Sequence, residues 1–180
     1  MSLLVYFFFT ESDREDYVNE MQNYFPVHVY GRCGNYSCPE NDYGPTYDMK
    51  SKCFDFISNN YMFYLSFENS LCLDYVTEKF FKALNFGILP IVLGGANYSE
   101  IAPPNSYINV EDFSNPSQLA EHLQYLVKNH TAYEDYFQWK KYFKIHATKS
   151  DQNRAMCQVS FDYIPSYLYQ FHEKNFFTFF

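Results

Sequence analysis

The chain has 180 residues, 47% of them apolar and 22% aromatic, which is enough to bury the core of one domain and far from the composition of a disordered segment. A formal net charge of −8 argues against nucleic acid as a partner, because neutralising phosphates takes an excess of Lys and Arg; any anionic ligand has to be held by a few placed cations and backbone amides. No apolar run approaches the roughly 20 residues that cross a bilayer, and the N-terminal LLVYFFF is too short and lacks the basic flank of a signal peptide.

In chain order, residues 4–9 predict a strand, and Ser12-x-x-Glu15 has the form of a capping box. Tyr17, Met21, Tyr24 and Phe25 then follow at i, i+4, i+7 and i+8, the spacing of an amphipathic helix. PVHVYG (26–31) predicts a short strand closed by glycine, and residues 32–47, rich in Gly, Asn, Pro and Cys without period, a loop. Phe63, Leu65 and Phe67 alternate with Met62, Tyr64 and Ser66, which predicts a strand.

The next helix is expected to start at Asp74 as N-cap, to carry Val76, Phe80, Ala83 and Leu84 on one face, and to stop at Gly87. ILPIVLGG (88–95) is a nearly continuous apolar run, as expected of a strand buried on both faces, and SYINV (106–110) predicts another strand. Asn115-Pro116 opens a helix with the stripe Leu119, Leu123, Leu126 and Val127, and a further helix is expected over Tyr133 to Phe143. This alternation predicts an α/β, Rossmann-like domain around a mainly parallel sheet, without internal repeat or linker.

Five cysteines, Cys33, Cys38, Cys53, Cys72 and Cys157, are an odd number, and their spacings do not form the paired hooks of a zinc site. Sequons at Asn35, Asn97 and Asn129, taken with loop cysteines, lean towards an oxidising secretory lumen; free thiols in a reducing compartment are the alternative left open.

The chemistry concentrates in FENSLCLDYVTEK (67–79), which crosses from a strand end to a helix start. Ligands of an open α/β sheet bind beyond the C-terminal strand ends, and a helix start there offers unpaired amides and a positive dipole end for phosphate. Lys79 would add a full positive charge one turn in, Glu78 can accept from sugar hydroxyls, and Asn69 can donate and accept. Arg14, in the first turn of the first helix, opposes that helix's dipole and so suggests an anion nearby. The competing readings are a surface pair of Arg14 with Asp13, Glu15 or Asp16, an ordinary exposed helix face for Glu78 and Lys79, and strand-end hydrogen bonding for Glu68 and Asn69. Gly94-Gly95 either lets a ligand approach the backbone or forms a tight turn. No Asp-x-Asp occurs, so a departing diphosphate would be neutralised by Arg14, Lys79 and the helix end, without a metal or other cofactor.

These residues resemble a known family. YMFYLSFENSLCLDYVTEKFFKAL (61–84) is similar to the signature of the α1,3-fucosyltransferases, glycosyltransferase family ten; PIVLGGANY (90–98), PPNSYINVEDF (103–113), LAEHLQYLVKN (119–129) and YFQWKK (136–141) continue the resemblance in order. DYVNEMQNYFPVHVYGRCG (16–34) resembles the preceding stretch in the core-type branch, and the resemblance runs over about residues 12–157.

The resemblance implies the C-terminal, GDP-fucose-binding half of a two-lobed GT-B type glycosyltransferase. By it, Arg14 and Lys79 contact the diphosphate, while Asn69, Tyr75 and Glu78 line the nucleotide-sugar site. It also implies an inverting transfer of fucose from GDP-fucose to GlcNAc of a glycan, in glycoprotein fucosylation in the Golgi lumen. The family's catalytic base, acceptor contacts and membrane anchor belong to an N-terminal part that these residues do not match, so Glu68 is read as structural and no catalytic residue is assigned. A donor-lobe remnant that binds GDP-fucose without turnover is the alternative.

Both ends depart from the family. FFFTES (7–12) stands where Ser-Asn-Cys is usual, and a single Cys157 stands where paired cysteines are. Residues 1–11 and 158–180 are therefore expected to be divergent or mispredicted, translated from intron-like sequence and not selected to pack, which would make the first strand accidental.

Overall fold

The computed structural model describes residues 3–6, 14–31, 34–38 and 52–145. Ser12 of the capping box, Cys33, Cys157 and the terminal segments apart from Leu3–Tyr6 lie outside these residues. Five parallel strands, β1 (Leu3–Tyr6), β2 (Val27–Tyr30), β3 (Phe63–Phe67), β4 (Leu89–Leu93) and β5 (Ile108–Asn109), make one sheet in the order β2-β1-β3-β4-β5. Leu3 pairs with Val27 on one side and Phe63 on the other, so the first strand lies inside the sheet. It is shorter than the expected 4–9.

The helices are α1 (Arg14–Met21), α2 (Lys52–Asn60), α3 (Glu78–Phe86), α4 (Tyr98–Ile101), α5 (Pro116–Lys128) and α6 (His130–Asp135). Val18 and Met21 of α1 and Leu119, Leu123 and Leu126 of α5 pack with Phe63, Leu65, Leu89 and Ile91 on one face. Phe54 and Ile57 of α2 and Phe80 and Leu84 of α3 pack with Tyr64 and Val92 on the other. The sheet is thus covered on both sides. Every residue of β3 is buried, although its sequence alternates, because alternate side chains enter different apolar layers.

Local signals set several boundaries. Gly87 takes φ 75° and its N–H reaches the carbonyls of Ala83 and Leu84, a left-handed stop that only glycine adopts without strain. The Asn115 side chain accepts from the Gln118 N–H, and the Gln118 carboxamide accepts from Ser114 N–H in return.

Two expectations need correction, and one helix lies where none is expected. α3 starts at Glu78 with Thr77 as N-cap, whereas exposed Asp74 sits in a turn at φ 58°, a left-handed position that aspartate tolerates. The helix expected over Tyr133–Phe143 is divided: Asn129 accepts from Ala132 N–H and starts α6 early, α6 ends at Asp135, and Gln138–Lys141 forms a 3-10 turn. α2 had not been anticipated at all. Its Asn59 and Asn60 amides donate back to the carbonyls of Asp55 and Phe56, closing the helix end.

Cys38 and Cys53 form a disulfide and Cys72 is free and exposed. Among the sequons, Asn35 is exposed, whereas the Asn97 amide donates to Glu100 at 2.6 Å and that of Asn129 to the Tyr125 hydroxyl at 2.9 Å. No helix among the described residues is long and apolar enough to cross a membrane.

Candidate functional site

The chain leaves β1 towards β2 and leaves β3 towards β4, on opposite sides of the sheet, so a crevice opens at the C-terminal ends of these adjacent strands. Arg14 opens α1, which follows β1, and its side chain is 1% exposed. Its Nη1 donates to the Phe67 carbonyl, the last residue of β3, at 2.8 Å, and its Nε lies 3.7 Å from the Glu15 carboxylate. The surface-pair reading therefore fails on position: Glu15 is a partner, but the guanidinium is inside. Burial pulls its pKa below the ordinary value, and the charges of Glu15 and Glu68 offset part of the shift. An arginine remains protonated throughout.

Glu68 continues β3 and is also 1% exposed. Its carboxylate accepts from the Thr77 N–H at 2.7 Å and from the Lys79 ammonium at 3.2 Å, with the Thr77 hydroxyl 2.8 and 3.1 Å from its two oxygens. Lys79 is the second residue of α3, closer to the helix start than one full turn, and its side chain is 11% exposed. Two cations thus dock on consecutive residues, Phe67 and Glu68, at one strand end. A carboxylate so enclosed is not presented to a substrate hydroxyl.

Asn69, next in the chain, is half-buried, and its Oδ1 has no hydrogen-bond partner among the described residues. Tyr75, whose N–H donates to the Cys72 carbonyl at 3.2 Å, belongs to the same group: burial first, then the negative charges of Glu68 and Glu78, raise its pKa, while Arg14 lowers it. Glu78, half-buried, is the first residue of α3. The five residues singled out in the sequence therefore lie around one strand end and one helix start.

The glycine pair serves close packing. A Cβ on Gly95 would lie 2.5 and 2.6 Å from the carbonyl oxygens of Leu71 and Cys72, and one on Gly94 would lie 2.6 Å from the Tyr98 hydroxyl and 3.2 Å from Glu68 Cγ. The loop carrying Asn69 and Tyr75 is thus seated on the turn after β4. Gly95→Ala is expected to push this loop aside and weaken ligand binding about tenfold, a loss of about 1.4 kcal/mol, with little change in the cooperativity of unfolding. Isothermal calorimetry beside a denaturant melt checks it.

Sequence reasoning missed Thr77 and Tyr98. Thr77 precedes Glu78-Lys79, the ordinary place for a cap, but Asp74 offered a competing one. Tyr98 is 3% exposed with no hydrogen-bond partner for its hydroxyl among the described residues; burial, with Glu68 and Glu111 nearby, holds its pKa far above the usual value, so it stays a neutral phenol.

With this geometry in hand, the comparisons agree with one another. The family model described as "Glycosyltransferase family 10 (fucosyltransferase) C-term" matches residues 2–169. Glycoprotein 3-alpha-L-fucosyltransferase A of Drosophila melanogaster is 48% identical over 130 residues, 71% of this chain but 24% of that protein. Alpha-(1,3)-fucosyltransferase fut-1 of Caenorhabditis elegans is 39% identical over 157 residues, 83% of this chain and 34% of its own length. Among solved structures, an α1,3-fucosyltransferase with GDP-fucose superposes with a TM-score of 0.60 at 20% identity, covering 88% of this chain and 42% of that one. The fold is accordingly the expected α/β arrangement of a GT-B type enzyme. The chain spans about a quarter to a third of the length of these two curated relatives. A parallel sheet with its polar cluster at the β1–β3 crevice, a family match over most of the sequence and close fly and worm relatives lead to one placement: the chain belongs to glycosyltransferase family 10, the fucosyltransferases.

Proposed function

We propose that the chain is the donor-binding part of an inverting α1,3-fucosyltransferase and holds GDP-fucose with its diphosphate between Arg14, Lys79 and the start of α3. The observation that carries this reading is the docking of both cations on consecutive residues at the end of β3. As the bond from fucose C1 to the phosphate oxygen breaks, negative charge grows on the departing GDP, and positive charge already in place there lowers the barrier. The free amides of a helix start act in the same direction. Asn69 and Tyr75 line the nucleotide sugar, and Glu78 accepts from ribose or fucose hydroxyls. A GlcNAc hydroxyl of a glycan, deprotonated by a carboxylate, attacks C1 from the side opposite GDP, turning the β-linked donor into an α-linked product.

That carboxylate and the acceptor contacts are assigned to the remainder of the relatives' length, as is the membrane anchor; the setting is the Golgi lumen. The second reading is a donor lobe that binds GDP-fucose without turning over. Joining the chain to the N-terminal portion of the fly relative separates the two: fucose transfer appears under the first and not under the second. Calorimetric titration with GDP-fucose tests the shared part, and absence of heat with folded chain overturns it. The charge reading also needs no metal, so the GDP affinity is expected to be unchanged, within twofold, between buffers containing EDTA and Mg²⁺; a tenfold dependence would reject metal independence.

A further inference from the structure

The buried carboxylate of Glu68 carries a role of its own, resting on the donor reading above. Glu68, Thr77 and Lys79 are mutually bonded: the carboxylate meets the Thr77 hydroxyl and the Lys79 ammonium, and that ammonium lies 2.8 Å from the Thr77 hydroxyl. Thr77 is the N-cap of α3, with extended backbone, yet its side chain makes no capping bond to the helix. Its own N–H is instead received by Glu68, nine residues earlier and just beyond the end of β3. A cap alone would not require a lysine in the first turn, where a cation opposes the helix dipole.

A lysine side chain left free also has much rotamer freedom to lose when it is ordered on a ligand. Here Glu68 and Thr77 hold the Lys79 ammonium by bonds within the fold itself. We propose that Glu68 is a positioning residue for the donor diphosphate: it holds the Lys79 ammonium and the first turn of α3 in place, without touching the donor. The gain is preorganisation. It outweighs the repulsion between a carboxylate and a nearby phosphate because the charge of Glu68 is met by the Thr77 amide, the Thr77 hydroxyl and Lys79.

Calorimetry with GDP and with guanosine, on the whole chain, tests the proposal. Glu68→Gln keeps the size and an acceptor for the Thr77 amide but removes the charge that holds Lys79. It is expected to weaken GDP about tenfold, to leave guanosine within twofold, and to add nothing in a Lys79→Ala background. Thr77→Val removes the hydroxyl while keeping the backbone amide, and is expected to show the same selective loss; it decides the matter should Glu68→Gln not fold. Unchanged or tighter GDP binding, an equal loss for guanosine, or a full loss persisting without Lys79 overturns the positioning role. If the unaltered chain binds no GDP, the donor reading falls first and this one with it.

Discussion

Arg14→Met is expected to weaken GDP binding by about a hundredfold or more and to lower folding stability by about 3 kcal/mol, the size seen when one member of a buried charged set is removed. Methionine fills similar space, so the loss isolates the guanidinium from the packing of its stem. Two effects add. The Phe67 carbonyl loses its 2.8 Å donor in a buried setting, and Glu68 loses a nearby positive charge. The donor diphosphate, on the reading proposed, loses a planar cation that can meet two oxygens at once. Arg14→Lys is expected to recover little of either, since a lysine cannot hold Phe67 and a phosphate together in the same fork. Urea melts and calorimetry measure the two parts separately. A variant that melts early yet binds GDP at full affinity would restrict Arg14 to stability.

Lys79→Ala is expected to divide these effects the other way. Charge-assisted contacts to a diphosphate are worth about 1.5–3 kcal/mol, so the GDP affinity should fall by up to about a hundredfold, while guanosine binding should be unchanged. Stability should change by only about 1 kcal/mol, because Glu68 keeps its two donors on Thr77 and the helix start loses a cation that its dipole disfavours. Affinity for GDP should also become less sensitive to salt, since one fewer fixed charge is screened. Equal GDP affinity in the variant and the unaltered chain would remove Lys79 from the site.

The parts of the fold legible beforehand are those decided within a few residues. β4 reads as a buried strand because ILPIVL is continuously apolar, α5 because its cap, its proline and its leucine stripe coincide, and the end of α3 because Gly87 is where a left-handed residue is needed. α2 escaped because only Cys53, Phe54 and Ile57 of its nine residues are buried, too few to set a period, and the preceding stretch has none. The start of α3 was placed three residues early at Asp74. Propensity favours that residue, but the N–H at Thr77 is received by Glu68, nine residues earlier and just beyond the end of β3, which no helix-start pattern reveals.

The candidate site divides along the same line. The sequence by itself determined the family, the α/β order, and which residue types gather between β3 and α3, because these depend on the identity and spacing of neighbours along the chain. The tertiary structure decided that Arg14 turns inward onto Phe67, 53 positions away, that Glu68 joins Thr77 to Lys79, and that Gly94 and Gly95 seat the loop between them. Charges act through distance and burial, and only the folded sheet brings the ends of β1 and β3 close enough, and makes them dry enough, for a carbonyl, a carboxylate and two cations to hold one another in place.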